Sequence, residues 1–320
     1  MRLTVARVAL AATLLTCAFN PTTTLAQPTR VFVAAQGSDA NSCTFAQPCR
    51  TFQRAHNVVA ARGEIDVLDP AGYGVVTITK SISIQGHGFA GISVSGSGTG
   101  IIINAGANDR VSLNGVLIDG GGVGDTGISF FAGDSLSVAN CVARNFTSNG
   151  LFVGFNGAAT VYLTVSNSYF SDNGTNGILL QPNGTGGIHA SIDRTVLTRN
   201  SFAGLNLLGQ LSGSSLLWAA VSDSVGANNT SSGGAAGFLV QSATNGAIAR
   251  LALTRSSATG NDTGIQAFGP NASILVGQST VTHNTMGVSA SSGGNIGSYG
   301  DNYLTGNFLE GAPSFFPSKG

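Results

Sequence analysis

The chain has 320 residues, and its 14 Lys and Arg balance its 14 Asp and Glu, so the formal net charge is zero. Charged residues make up 9% of the chain, against about 25% in ordinary globular domains. Without clusters of Lys and Arg we expect no nucleic-acid partner. Without an apolar run of about 18 residues after the N-terminus we expect no membrane insertion.

Residues 1–26 have the pattern of an export signal. Two arginines flank an apolar run over residues 8–15, which is too short to span a bilayer. The small residues Thr24 and Ala26 occupy the positions that signal removal requires, so we expect cleavage before Gln27. This predicts a secreted or periplasmic protein.

The cysteines fit an oxidising compartment. Cys43 and Cys49 bracket the short segment CTFAQPC, and in an exported chain such a pair predicts a disulfide. A redox or metal site is the weaker interpretation, because the spacing differs from CxxC. Lipid attachment at Cys17 is the alternative to signal cleavage, but Thr16 precedes it where lipoprotein signals usually have Gly, Ala or Ser.

A helix is predicted over residues 51–61, TFQRAHNVVAA. Phe52, Ala55, Val58 and Val59 fall on one helical face, and that face can cover the beginning of the domain. We expect His56, on the same stretch, to be a surface residue rather than a ligand.

Three sequence markers then recur every 23 to 32 residues. The first is an apolar residue followed by two polar residues and a small one, and it begins at Val138, Val165, Ile192, Val221, Leu253 and Val276. The second is an asparagine eight residues later, at Asn173, Asn200, Asn229, Asn261 and Asn284, with Asn307 fitting one more repeat. The third is a glycine that leads an apolar segment, at Gly150, Gly177, Gly204, Gly237, Gly264 and Gly287.

Such a triple register predicts an all-β parallel solenoid, in which each coil contributes three short strands and stacks about 4.8 Å from the next. We expect nine or ten coils from Ile84 to Asn307. Each asparagine is expected at a bend, where it tolerates left-handed backbone angles and bonds neighbouring backbone groups. Cys141 falls in the column of Ser168 and Thr195, which predicts a buried thiol.

Residues 31–88, which contain VFVAAQGSD, PCRTFQRA and GEIDVLDPAGYGVVTITKSISIQGHG, resemble the opening of bacterial right-handed parallel β-helix proteins of the pectate-lyase-like superfamily. The rhythm NSYFSDNGTNGI at 167–178 extends the resemblance. It implies one domain over residues 27–320, with an N-terminal cap at about 31–80 and a C-terminal cap at about 308–320. Phe308, Leu309, Phe315 and Phe316 lie in that last segment.

The resemblance covers lyases, hydrolases, epimerases, adhesins and members without known activity, so the fold does not choose among them. Gly86-His87-Gly88 matches a polygalacturonase tripeptide, but no Asp-Asp pair accompanies it, and we interpret it as a turn. The segment 121–125, GGVGD, is similar to a calcium-binding nonapeptide but occurs once, with its Asp one place early. No cofactor is predicted, and calcium has no further support.

Two columns of charge recur with the repeat. An outward row two places after the first marker, Arg194, Asp223, Arg255, Gln278 and Asp301, is interpreted as a solvated ladder. Asp119, Arg144, Asp172 and Arg199 fall near the Asn bend on successive coils and are the candidate catalytic residues, although a salt-bridge ladder is favoured.

An uncharged row follows the third marker. The second residue after each glycine points outward if the strands alternate, which gives Phe152, Leu179, Asn206, Leu239 and Gln266. We take the first four as candidate ligand-binding residues, because exposed apolar surface can stack sugar rings or receive a protein. The alternative is that the insertion between Leu208 and Gly237 covers them.

Two classes of function remain open. The leading hypothesis is an exported, non-catalytic β-helix protein that binds a polysaccharide or a cell-surface partner through this row. The alternative is an extracytoplasmic polysaccharide lyase or glycoside hydrolase that acts on acidic polysaccharide. In that case Asp119 or Asp172 handles the proton and an arginine neutralises a uronate carboxylate.

Overall fold

The computed structural model describes residues 26–209, 215–231 and 233–317. The predicted signal and Cys17 lie outside these ranges, apart from residue 26. The chain forms a right-handed parallel β-helix, as predicted, in which every coil crosses three faces. No helix in the described ranges is long and apolar enough to cross a membrane.

The first and second faces form one continuous 19-stranded sheet. The first face contains the strands Arg30–Val33, Gly63–Val67, Ile82–Ser93, Arg110–Asp119, Ser135–Ala139, Val161–Ser166, Ile188–Asp193, Leu216–Ser222, Ile248–Thr254, Ala272–Gly277 and Asn295–Ser298. The second face contains the short strands Ala71–Gly72, Val142–Arg144, Tyr169–Ser171, Val196–Thr198, Val225–Ala227, Ser257–Thr259, Thr280–Thr282 and Tyr303–Leu304. Ile82–Ser93 and Arg110–Asp119 continue from the first face onto the second.

The third face is a separate sheet of nine strands. They are Val76–Ile78, Thr99–Asn104, Thr126–Ala132, Leu151–Val153, Asn176–Leu180, Ala203–Leu208, Ala236–Gln241, Thr263–Phe268 and Met286–Ser291. Each coil contributes one strand to this face, and only Val76–Ile78 precedes Ile84. Eight coils therefore follow Ile84. The prediction of nine or ten coils was too high. Loops and an insertion lengthen several coils, so fewer of them fill the span.

Period-two patterning places the core inside the coils. In Val161–Ser166 the side chains of Val161, Leu163 and Val165 are buried, while Tyr162 and Thr164 point to solvent. Each such buried aliphatic side chain stabilises the fold by about 1.5–3 kcal/mol. The inward columns of successive coils join into one continuous core.

The N-terminal end of the core is covered as predicted by a helix, Phe52–Val58. Its N-cap is Thr51, whose hydroxyl accepts a hydrogen bond from the backbone N–H of Arg54 at 3.1 Å. Within this helix, the side chains of Phe52 and Ala55 are fully buried. The predicted Cys43–Cys49 disulfide is present just before the helix.

His56 is not a surface residue, contrary to expectation. It is 4% exposed, and its Nε2 accepts a hydrogen bond from the backbone N–H of Thr79 at 3.2 Å. Burial lowers the pKa of His56. The helical pattern alone did not show that the strand Val76–Ile78 and the residues after it pack against this side of the helix.

The C-terminal segment pairs with the last coil at two points. Leu309 forms a β-bridge with Met286, and Phe315 forms one with Gly297. Phe308 and Phe316 nevertheless remain 83% and 70% exposed.

The recurrent asparagines form a buried amide ladder. Asn200 donates from its backbone N–H and from Nδ2 to Oδ1 of Asn229, at 2.9 and 3.1 Å, and Asn229 does the same to Asn261. Each Nδ2 also donates to a backbone carbonyl of the preceding coil, as from Asn200 to Phe170 at 3.3 Å. The ladder ends where Asn307 Nδ2 donates to Oε2 of Glu310 at 2.7 Å.

The left-handed backbone expected at these asparagines belongs to the residue before each of them. Asp172, Arg199 and His283 have φ values of 57°, 53° and 56°. The asparagine follows the left-handed turn and bonds across coils, so its amide rather than its backbone freedom explains the recurrence.

The recurrent glycines keep room for that ladder. A Cβ at Gly177 would lie 2.7 Å from the carbonyl oxygen of Gly204 and 3.0 Å from Nδ2 of Asn200. Only glycine therefore fits where the third face begins.

The small residues of the first marker form a second ladder. The hydroxyl of Ser224 accepts the backbone N–H of Thr195 at 3.1 Å and donates to the carbonyl of Ser222 at 2.7 Å. Cys141 occupies this column and is 1% exposed, as predicted. Burial raises the pKa of its thiol to about 11.

Candidate functional site

The four candidate catalytic residues lie along the edge between the second and third faces as two separate ion pairs. Arg144 Nε lies 2.9 Å from Oδ2 of Asp119. Arg199 binds Asp172 through two contacts, Nε to Oδ1 at 2.6 Å and Nη2 to Oδ2 at 2.9 Å. Strand register brings Asp119 opposite Arg144, whereas Asp172 and Arg199 lie in left-handed turns one position later.

Both carboxylates have pKa values below the ordinary range. The hydrogen bond from Arg199 lowers the pKa of Asp172. Burial raises the pKa of Asp119, but hydrogen bonds from Gly121, Asn145 and Arg144 outweigh that effect and lower it. A carboxylate held in its ionised form is a poor general acid and a weak base near neutral pH.

A shallow groove beside these pairs is lined by Asn145, Thr147, Asp172, Arg199 and Ser201. Arg144 is not among its lining residues. The guanidinium of Arg199 already binds Asp172 through two nitrogens, so a uronate would have to compete with that carboxylate. This geometry favours a salt-bridge ladder over a catalytic centre.

The other charged row includes an ion pair between neighbouring coils. Arg255 binds Asp223 through two nitrogens, at 3.0 and 2.8 Å. Arg194, Asp223, Arg255 and Gln278 all have φ values between 45° and 52°. They are the outward-pointing bend residues at the end of the first face.

The tripeptide at residues 86–88 lies at a bulge. The pairing register shifts between Gln85 and Ala90, and His87 and Gly88 have φ values of 56° and 82°. Nε2 of His87 lies 2.6 Å from Oδ1 of Asp66. The tripeptide therefore belongs to a bulge within the strand Ile82–Ser93 rather than to a turn between strands.

The predicted ligand-binding row forms one column on the third face. Phe152 lies opposite Leu179, Leu179 opposite Asn206, and Asn206 opposite Leu239. Phe152 and Leu179 are partly exposed, and the ring of Phe131 packs against Phe152 with centroids 6.0 Å apart.

The other half of this row is not accessible. Asn206 and Leu239 are only 2% and 3% exposed, and Leu239 packs with Ala203 and Ala236 in a small apolar cluster outside the main core. The expectation of a continuous open row from Phe152 to Leu239 was therefore wrong. Only Phe152 and Leu179 offer surface to a ligand.

A row of rings on the first face was not predicted. Tyr162, His189 and Trp218 lie opposite one another on three successive coils, and we call them the ring row. Tyr162 is 53% exposed and Trp218 is 39% exposed. The ring of Tyr162 meets that of His189 edge-on at 5.8 Å, and His189 stacks on Trp218 at 5.0 Å with an interplanar angle of 7°.

The sequence contained a signal for the ring row. Each ring lies three residues before a first-marker residue, Tyr162 before Val165 and Trp218 before Val221. Three different residue types occupy this position, so it does not stand out in the repeat as the asparagines and glycines do.

Apolar and small side chains flank the ring row. On one side Ile248 is 43% exposed and lies opposite the partly buried Leu216. On the other side lies a shelf of short, exposed side chains, which we call the small-residue shelf: Thr164, Ser191, Ala220 and Ala252. The rings therefore stand above a low surface that leaves space for a ligand.

Within residues 26–209, 215–231 and 233–317, no group of three or more His, Cys, Asp or Glu side chains lies close enough to hold a metal ion. The segment 121–125 lies in that part of the chain. Its Gly121 N–H donates to Oδ1 of Asp119 at 2.9 Å.

No family model matches the sequence, and no curated protein matches it. Solved structures do match. Pectate lyase Pel9A aligns with a TM-score of 0.69 and 19% identity over 91% of this chain and 78% of its own. An alginate lyase from Paenibacillus sp. str. FPU-7 aligns with a TM-score of 0.52 and 11% identity, over 90% of this chain and 98% of its own. XylC in complex with xylose aligns with a TM-score of 0.53 and 9% identity, over 84% of this chain and 68% of its own.

The chain shares the right-handed parallel β-helix fold of these proteins. The fold predicted from residues 31–88 and from the repeats is thereby confirmed. At these identities the likeness concerns the fold alone, so the function has to be argued from the surface.

Proposed function

We propose that this protein binds a polysaccharide outside the cytoplasm without cleaving it, and that the ring row is its binding surface. The observation that carries the proposal is the exposure of Tyr162 and Trp218 in register with His189 on the first face. Exposed aromatic side chains of this kind are typical of recognition sites. The apolar C–H face of a pyranose ring can pack against the face of Trp218 that His189 does not cover.

The spacing of the row also fits a polymer. Successive rings are one coil apart, about 4.8 Å, which is similar to the length of one sugar residue in an extended chain. A polysaccharide lying along the helix axis would meet the side chains of several coils in turn.

Three other observations support the proposal. Two of the enzymes with this fold are named as a pectate lyase and an alginate lyase, so the fold is compatible with polysaccharide ligands. The Cys43–Cys49 disulfide fits an exported protein. A non-catalytic role is favoured because the candidate catalytic residues are bound to one another in ion pairs.

The alternative function is a polysaccharide lyase or hydrolase that uses the groove beside Asp172 and Arg199. The observation in its favour is the presence of a carboxylate and a guanidinium in one groove. It requires the Arg199–Asp172 pair to open when substrate binds.

The test is a binding assay, by calorimetry or affinity electrophoresis, of the purified protein with acidic and neutral polysaccharides. We expect Trp218→Ala to weaken binding by roughly tenfold or more, as for a central aromatic contact. Phe308→Ala, which removes another exposed ring, is the matched control and should bind like the wild type.

The double variant Phe152→Ala with Leu179→Ala tests the third face as the second candidate surface. Loss of binding in this variant, with Trp218→Ala unaffected, would move the site to the third face. Absence of binding to every polysaccharide would reject the proposed function.

A further inference from the structure

Arg250 continues the ring row by one coil. It lies opposite Trp218 in the parallel register, on the strand Ile248–Thr254, and its side chain is exposed. The column that contains the three rings therefore ends beside a guanidinium group. A charged group beside the rings can affect which sugars bind to the ring row.

The charge of Arg250 is not neutralised. In the part of the chain that the structure describes, the side chain of Arg250 makes neither an ion pair nor a hydrogen bond. Six other arginines bind carboxylates, namely Arg30, Arg110, Arg144, Arg194, Arg199 and Arg255. Residues 1–25, 210–214, 232 and 318–320 contain no Asp or Glu, so no acidic side chain there can serve as its partner.

The stacking of the rings leaves one face of Trp218 on the side of Arg250. Because His189 stacks on one face of Trp218 with nearly parallel planes, the opposite face of the indole lies on the side of the coil that carries Arg250. His189 leaves that face uncovered. A sugar packed there has the Arg250 guanidinium as its nearest cation along the column.

The small-residue shelf provides room beside the two side chains. Ala220 lies two residues after Trp218, and Ala252 lies two residues after Arg250 on the same outward side. Neither methyl group obstructs a sugar substituent that reaches the guanidinium.

We propose, as an extension of the proposed function, that the ring row selects polysaccharides that contain uronic acids. One sugar packs on the open face of Trp218, and its carboxylate binds the guanidinium of Arg250. Charge complementarity argues for this ligand, because an unpaired guanidinium accepts a planar carboxylate through two parallel hydrogen bonds. A neutral sugar leaves the charge without a partner.

The experiment compares two polymers with one backbone: polygalacturonate and fully methyl-esterified polygalacturonate. The wild type should bind the acid form roughly tenfold more tightly than the ester or better. Arg250→Gln should bind the two forms equally, with its affinity for the ester unchanged. Because Arg250 holds no other side chain, this variant should keep the wild-type melting temperature.

Arg62→Asn is the matched charge control. Arg62 is exposed, makes no ion pair with a described residue, and has a φ of 65°, which asparagine tolerates. It should retain the preference for the acid form, whereas a nonspecific effect of net charge would reduce the preference in both variants.

Equal binding of both polymers by the wild type would overturn the inference and leave the proposed function standing. The same holds if Arg250→Gln keeps the wild-type preference. Failure to bind either form, or any other polysaccharide, would instead reject the proposed function itself.

Discussion

Oδ1 of Asn229 accepts two hydrogen bonds from Asn200, from the backbone N–H at 2.9 Å and from Nδ2 at 3.1 Å. The same pair of bonds links each asparagine to the next as far as Asn307. The amide of one residue therefore satisfies backbone and side-chain groups of two neighbouring coils. This arrangement makes the fold sensitive to single substitutions in the column.

Asn200→Ala should lower the free energy of unfolding by about 1–3 kcal/mol, because buried donors on Asn173 lose their acceptor. Asn183→Ala is the control. Asn183 lies outside the column, and its Oδ1 has no hydrogen-bond partner. Chemical denaturation should show a much smaller loss for Asn183→Ala, and equal losses would contradict the role of the ladder.

Cys141→Ser should change the free energy of unfolding by less than about 1 kcal/mol. Serine or threonine occupies the equivalent position in the following coils, and the Cys141 thiol already donates to the Ala139 carbonyl at 3.2 Å. Because burial raises the pKa of the thiol to about 11, a thiol reagent should label wild-type Cys141 only as fast as the protein unfolds. Rapid labelling of the native protein would contradict the buried position of Cys141.

The stability of the protein should be lower at about pH 5.5 than at about pH 7.5. Burial lowers the pKa of His56 in the folded protein below the ordinary value of 6.5, so the unfolded chain binds this proton first as the pH drops. The contribution of His56 is complete above pH 6.5 and decreases below it. Denaturant midpoints measured across this range should show the decrease.

His56→Gln should flatten that pH dependence, because glutamine can accept the Thr79 N–H without titrating. The control is His283→Asn, which changes an exposed histidine in a left-handed turn. It measures the effect of removing an exposed imidazole elsewhere in the chain. If the stability of the wild type did not change with pH over this range, the role given to His56 would be refuted.

The purified protein should release neither unsaturated product nor new reducing ends from pectate or alginate, with or without calcium. Asp172→Asn removes the negative charge of the ion pair with Arg199 and keeps a residue that tolerates φ of 57°. It should lower stability by at most about 1 kcal/mol, as for an exposed pair. Polymer cleavage by the wild type that is lost in folded Asp172→Asn would establish the catalytic alternative.

The sequence was sufficient to predict the parts of the fold that repeat. The columns of Asn173, Ser168 and Gly177 recur because coils stack in register, and identical residues then meet identical surroundings. The disulfide and the capping helix were also predictable, since both depend on short-range spacing. In contrast, the left-handed angle was assigned to Asn173 instead of Asp172, because periodicity locates a turn only to within one residue.

The surface was less predictable, because exposure depends on segments that do not repeat. Asn206 and Leu239 alternate outward as expected, yet they are buried on a face where the chain has an insertion. Likewise, the pattern of the helix did not show the strand that packs against His56. The ring row kept the register of the repeat but combines a tyrosine, a histidine and a tryptophan, so no single residue type marked it.

The most direct test of the central claim uses Trp218, the single tryptophan of the chain. It is 39% exposed at the end of the ring row, next to Arg250. Titration with uronate oligomers should give a saturable change in tryptophan fluorescence and should protect the indole from acrylamide quenching. Binding detected by calorimetry with no change in fluorescence or in quenching would contradict the ring row as the binding surface.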